Sequence, residues 1–82
     1  MKVQAELSLY PLRQNDLTKP IHQFIEKLEG DNLNVKTGSM SSIISGGSHE
    51  VFQSIEKAFE KGAQRYEVVL TAKISNACPE IE

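Results

Sequence analysis

Two apolar stripes at helical spacing, each flanked by a segment of alternating polarity, constrain this chain more than any other feature. Leu17, Ile21, Phe24, Ile25 and Leu28 recur at i, i+4, i+7, i+8 and i+11, which is one face of a helix. Val51, Phe52, Ile55, Ala58 and Phe59 make a second stripe of the same kind. Ahead of the first, Lys2 to Tyr10 alternates strictly. Val3, Ala5, Leu7 and Leu9 share one side, and Lys2, Gln4, Glu6, Ser8 and Tyr10 share the other. That period of two is a half-buried strand, which Pro11 is expected to end by withholding a ladder donor. Behind the second stripe, Arg65 to Ser75 repeats the pattern, with Tyr66, Val68, Leu70, Ala72 and Ile74 facing in and Glu67, Val69, Thr71, Lys73 and Ser75 facing out.

The punctuation between these segments is consistent with them. Asp16 or Thr18 can cap the first helix, and Pro20 is tolerable in its first turn. Gly30 offers a left-handed stop, Asp31-Asn32 turns the chain, and Leu33 to Lys36 reads as a short strand. Thr37-Gly38-Ser39 then makes a tight connection into a third strand, so strands two and three form a hairpin. Met40, Ser42 and Ile44 share one face of that strand and carry two large apolar groups, so they are expected to face the core, leaving Ser41, Ile43 and Ser45 outside. Gly46-Gly47 reads as a turn, Ser48 as the cap of the second helix, Glu50 as a favourable charge against its dipole, and Gly62 as its end.

The order is βαββαβ. Two amphipathic helices need one sheet face to bury their stripes, so the expected fold is α+β: a ferredoxin-like sandwich of a four-stranded antiparallel sheet with both helices on one face. With 82 residues the chain is expected to form a single domain, 1–82, burying roughly 60–65% of its unfolded surface. A margin that thin favours oligomers.

Charge and cysteine content narrow the function. Nine Lys and Arg against 11 Asp and Glu leave a net charge of −2, without the basic surplus that nucleic-acid modules use against phosphates. The third strand also lacks the aromatics on which an RNA-recognition sheet stacks bases. A lone cysteine, Cys78, excludes an internal disulfide and a multi-cysteine zinc site, and the loop Pro11-Leu12-Arg13-Gln14 has no cysteine for a metallochaperone. No apolar run reaches membrane-spanning or signal-peptide character, so a soluble cytoplasmic protein with no nucleic-acid or membrane partner is expected. No carboxylate pair, nucleophile–base set or phosphate-cradling glycine motif has the spacing that catalysis requires, and no catalytic or metal-binding residue and no cofactor is assigned. His22 reads as a surface or boundary residue, and capping accounts for the sequence around His49.

The Tyr10-Pro11 end of the first strand, the run Met40-Ser41-Ser42-Ile43-Ile44-Ser45-Gly46, and Lys73-Ile74-Ser75-Asn76-Ala77-Cys78-Pro79 after the last strand together resemble the YkoF-like thiamine-binding family. The resemblance spans the chain, and Ser75-Asn76-Ala77-Cys78-Pro79 is its most specific part. It implies a non-enzymatic protein that binds thiamine or its hydroxymethylpyrimidine moiety in uptake, salvage or sensing, assembled as a homodimer or homotetramer. Ser42 stands where family members commonly carry threonine, which keeps a hydroxyl and loses a methyl. An aminopyrimidine needs a few fixed donors and acceptors in a largely apolar slot. The expected ligand-binding residues are therefore Ser8, Tyr10, Ser41, Ser42, Ser75 and Asn76, with Glu6 or Glu67 as the carboxylate for a thiazolium cation. Ser41 and Ser42 point to opposite faces, so their side chains are not expected to line one slot together. An ACT-like regulatory or assembly module binding another small metabolite at a subunit interface is the alternative.

Overall fold

The computed structural model of the chain describes residues 1–28 and 33–77. Its elements are β1 (Lys2–Leu12), α1 (Thr18–Leu28), β2 (Asn34–Thr37), β3 (Ser42–Gly47), α2 (Ser48–Ala63) and β4 (Glu67–Ser75). The four strands make one sheet in the order β2-β3-β1-β4, with every neighbouring pair antiparallel. Both helices pack on the sheet and on each other, which is the ferredoxin-like α+β arrangement.

β1 is the centre of this sheet because it pairs on both sides, from Lys2 to Leu7 with β3 and from Gln4 to Leu12 with β4. Its alternation holds throughout: Val3, Ala5, Leu7 and Leu9 are buried under the helices. Phe24 and Leu28 of α1, Ile44 of β3, and Val51 and Ala58 of α2 complete the core. Pro11 does not end β1; it pairs with Val68 inside the strand. Beyond Leu7 the strand has a partner on one side only, and a strand with an open side is where a proline can sit.

The element ends differ from expectation in physically informative ways. Ser48 does not cap α2. The N-cap is Gly47, in extended backbone (φ −65°, ψ 146°) and without a side-chain cap bond. β3 runs straight into α2, because Gly46 and Gly47 are still paired with Val3 and Lys2, and the Ser48 N–H donates to the Met1 carbonyl at 2.8 Å. The Glu50 carboxylate folds back over Gly47, into the place a Cβ would take, and it is the flexible end of an exposed side chain. Gly62 lies inside the helix rather than ending it; its carbonyl accepts from the Arg65 and Tyr66 N–H groups and so anchors the exit to β4. β4 accordingly begins at Glu67, not Arg65, and β2 runs one residue later than Leu33 to Lys36. At α1, Asp16 is the cap: its Oδ1 accepts from the Thr18 N–H at 3.0 Å. Gly30 and the Asp31-Asn32 turn lie outside the described residues, as does the tail from Cys78 onward.

Both helix stripes are narrower than their apolar residues suggest. Leu17 precedes α1 and is half exposed, and Phe52 and Phe59 lie on the outer flanks of α2. The buried positions of α2 are Val51, Ser54 and Ala58, and one of them is a serine. Ser54 is 2% exposed and its hydroxyl donates to the Leu28 carbonyl at 3.3 Å, satisfying an acceptor that the end of α1 would leave open. Met40 was expected in the core and is 88% exposed, because β3 starts two residues after it.

Leu7→Ala should therefore lower the unfolding free energy by about 2–5 kcal/mol. Phe52→Ala should change it by no more than about 0.5 kcal/mol. Urea unfolding of both variants checks the pair, and a large cost at Phe52 would mean that this face of α2 is covered in the protein as purified.

Candidate functional site

The site is built by a difference in strand length. β3 stops pairing with β1 at Leu7–Ser42, whereas β1 continues to Leu12 against β4 alone. The missing strand leaves a gap beside the far half of β1. The hairpin loop Gly38–Ser41, held by a 2.8 Å bond from the Gly38 N–H to the Ser41 carbonyl, closes one end of it, and the start of α1 closes the other.

The result is a groove of about 300 Å³. Its apolar lining comes from Leu7 and Leu9 of β1, from Phe24, Ile21 and Ile25 of α1, and from the half-exposed Leu17 and exposed Met40. Its polar lining is almost all hydroxyl: Ser8, Thr18, Thr37, Ser39, Ser41 and Ser42, with His22 at the rim. Because the groove wraps round the end of β3, residues from both sheet faces reach it. Ser41 and Ser42 both border it, with the Ser41 hydroxyl turned to Glu6 on the open face and Ser42 on the helix side.

The hydroxyls are not equivalent. Ser41 donates to Glu6 Oε2 at 2.9 Å, a charge-assisted bond that ties the hairpin loop to β1. Ser8 makes a longer contact, 3.4 Å, to the Met40 carbonyl. Ser42 is 5% exposed, on the helix side between Leu7 and Thr37, and among the described residues its hydroxyl has no hydrogen-bond partner. It is the donor and acceptor best placed to serve a guest.

The other three expected site residues lie elsewhere. Tyr10 is half exposed on the open sheet face beside Val69. Ser75 lines a separate depression of about 350 Å³ on that face, with Gln4, Glu6, Ile43 and Lys73, and its hydroxyl accepts from the Ala77 N–H at 3.0 Å. Gln4 Nε2 is buried there without a hydrogen-bond partner among the described residues. Asn76 is exposed in the bend after β4.

Neither expected carboxylate lines the groove. Glu6 faces the open sheet side and touches it only through Ser41, and Glu67 is held by Arg13 at 2.7 Å at the far end of the β1–β4 pair. Thr37, Thr18 (read from the sequence only as a possible cap) and His22 (read only as a surface or boundary residue) also line the groove; their positions depend on where the hairpin loop meets α1, and no periodicity encodes that. Among the described residues no three His, Cys, Asp or Glu side chains gather as a metal site, and no helix is long and apolar enough to cross a membrane.

Comparison with known proteins bears on this geometry. The sequence model of the YKOF-related family matches residues 2–80. The chain belongs to that family. No curated protein matches it. A hypothetical protein of Methanocaldococcus jannascii shares 26% identity over 98% of this chain and 84% of its own, with a TM-score of 0.85. A Streptococcus pneumoniae protein shares 25% identity over 99% of this chain and 90% of its own, with a TM-score of 0.86. A candidate thiamine biosynthesis/salvage protein of Thermotoga maritima has the same fold at 20% identity, covering 90% of this chain and 82% of its own, with a TM-score of 0.82.

If Ser41 holds the hairpin loop through Glu6, Ser41→Ala should speed hydrogen exchange at the Gly38 amide while costing no more than about 1 kcal/mol of global stability, since the pair is solvent-exposed. Unchanged exchange at Gly38 would show that the backbone bond alone fixes the loop.

Proposed function

We propose that this protein binds thiamine or its hydroxymethylpyrimidine moiety without chemical turnover, as a cytoplasmic carrier or sensor in thiamine uptake or salvage. The observation that carries this reading is the groove beside the far half of β1, where hydroxyls from both sheet faces meet an apolar wall. Its size is at the lower end for small-molecule sites, and its mix of lining groups is the usual one. A flat aminopyrimidine would lie against Leu9, Ile21 and Phe24, with its ring nitrogens and amino group served by Ser42 and by Ser8 or Thr37, since a hydroxyl both donates and accepts. Membership of the YKOF-related family and the thiamine-related naming of the Thermotoga maritima relative support the ligand class.

In this reading Ser41 shapes the groove through Glu6, and Ser42 is the main polar contact. The uncharged lining favours the pyrimidine over the thiazolium cation, whose charge would have to face Glu6 or solvent. Tyr10, Ser75 and Asn76 face away from the groove and would join a ligand only across a subunit contact of a homodimer or homotetramer.

Isothermal titration with hydroxymethylpyrimidine and with thiamine tests this directly. The expected result is saturable binding at one site per chain. Ser42→Ala should weaken it about fivefold, the loss of roughly one hydrogen bond worth ~1 kcal/mol, with the melting temperature of the free protein unchanged. No heat and no thermal shift at millimolar ligand would overturn the reading and leave the ACT-like assembly module with another metabolite as its successor.

A further inference from the structure

Between α1 and the C-terminal end of α2 lies a second depression, of about 170 Å³, lined by Gln23, Glu26, Lys27, Lys61, Gly62 and Arg65. It uses the flank of α1 opposite the groove, which takes Ile21, His22 and Ile25 of the same helix. A third of the chain's nine Lys and Arg residues meet here with one carboxylate, a local excess of positive charge on a molecule of net charge −2. Among the described residues the side chains of Lys27, Lys61 and Arg65 make no ion pair, and that of Gln23 makes no hydrogen bond. Like charges gathered round one space repel until a counter-charge enters it.

Gly62 separates this depression from a scatter of surface cations. Lys27 and Lys61 each stand in the last turn of a helix, where a cation suits the dipole, and that would account for them one at a time. It does not account for a glycine inside α2. Glycine is disfavoured in a helix against alanine, and is retained where the backbone is left-handed or another group approaches closely. Gly62 meets neither condition: it lies within the helix, and a Cβ placed there would have nothing within 4 Å. The missing side chain leaves the floor of the depression clear.

We propose that this depression binds the phosphate group of a small soluble ester. The Arg65 guanidinium is the planar fork that suits two phosphate oxygens, and Lys27 and Lys61 bring charge from the two helices. The Gln23 amide adds a neutral donor, and Gly62 admits the group to the helix surface. Glu26 is the one acceptor in the lining, which suits a hydroxyl of the ester rather than its phosphate. The volume holds a phosphate group and little more, so the remainder of the ester lies over the rim. None of these residues borders the groove, so the proposal stands whether or not the groove takes a pyrimidine.

The test is titration of the ¹⁵N-labelled protein at low salt with inorganic phosphate, with glycerol 3-phosphate and with vesicles containing phosphatidic acid. The expected result is saturable binding of both soluble phosphates below about 1 mM, with amide shifts at Gln23, Lys27, Lys61, Gly62 and Arg65 and none at Ser42. Added sodium chloride should weaken it. Lys61→Gln and Arg65→Gln should each weaken binding about fivefold or more. Gly62→Ala should raise the melting temperature, and Gly62→Leu should weaken binding about tenfold by filling the floor. A glycine kept only by the fold would show the reverse, a lower melting temperature in Gly62→Ala and undiminished binding in Gly62→Leu, and either result would overturn the proposal. Shifts spread over all the lysines would also overturn it, as would binding to the vesicles without binding to the soluble phosphates. Should Gly62→Leu lose its far-ultraviolet circular dichroism, the exposed positions decide: unchanged binding in both Lys61→Gln and Arg65→Gln would overturn the proposal.

Discussion

Everything in this molecule leans on β1. Its inward row of Val3, Ala5, Leu7 and Leu9 is the floor on which both helices bury their stripes, and its two sides pair with β3 and β4. Each of those roles constrains the others. Slipping the strand by one residue would turn Gln4, Glu6 and Ser8 into the core and lose both ladders at once. With about 5–15 kcal/mol the usual stability of a domain, one buried leucine here is a large fraction of what holds the chain folded.

The candidate site follows from the same strand. β1 is eleven residues long and β3 is six, so β1 outruns its neighbour. The space that a longer β3 would fill is taken instead by a hairpin loop, the start of α1 and the groove between them. The groove is thus bounded by regular elements on most of its wall, and by a loop fixed at Gly38–Ser41 and Ser41–Glu6 on the remainder. Ser42 begins β3 at the point where pairing starts, so its side chain is positioned by the ladder rather than by a flexible tip. That is a good setting for a polar group meant to hold a small ligand in one orientation.

The order and type of the elements were legible because two simple periods, two for strands and 3.6 for helices, dominate the chain. What failed was local and tertiary. Phe52 and Phe59 are apolar enough to read as core, yet the buried face of α2 runs through Val51, Ser54 and Ala58, and Ser54 is made acceptable there by the Leu28 carbonyl of another helix. Ser48 has the right chemistry for a cap, but the helix begins directly from a glycine that β1 still pairs. Met40 fits the phase of β3 and lies outside it. For the site, the serine-rich run around Ser41 and Ser42 was visible as an oddity in a strand, and Ser8 followed from strand adjacency. The partition that leaves Tyr10, Ser75 and Asn76 elsewhere could not be read, because it depends on where β3 stops.

In the proposed function the groove at the end of β3, and not the open sheet face, receives the ligand. Amide chemical shifts of the ¹⁵N-labelled protein, followed as hydroxymethylpyrimidine is added, test it most directly. The largest changes should cluster at Ser8, Thr18, Thr37 and Gly38 to Ser42, with Gln4, Lys73 and Ser75 little moved. Changes concentrated at Gln4, Ile43, Lys73 and Ser75 would contradict it and place the ligand on the open face of the sheet.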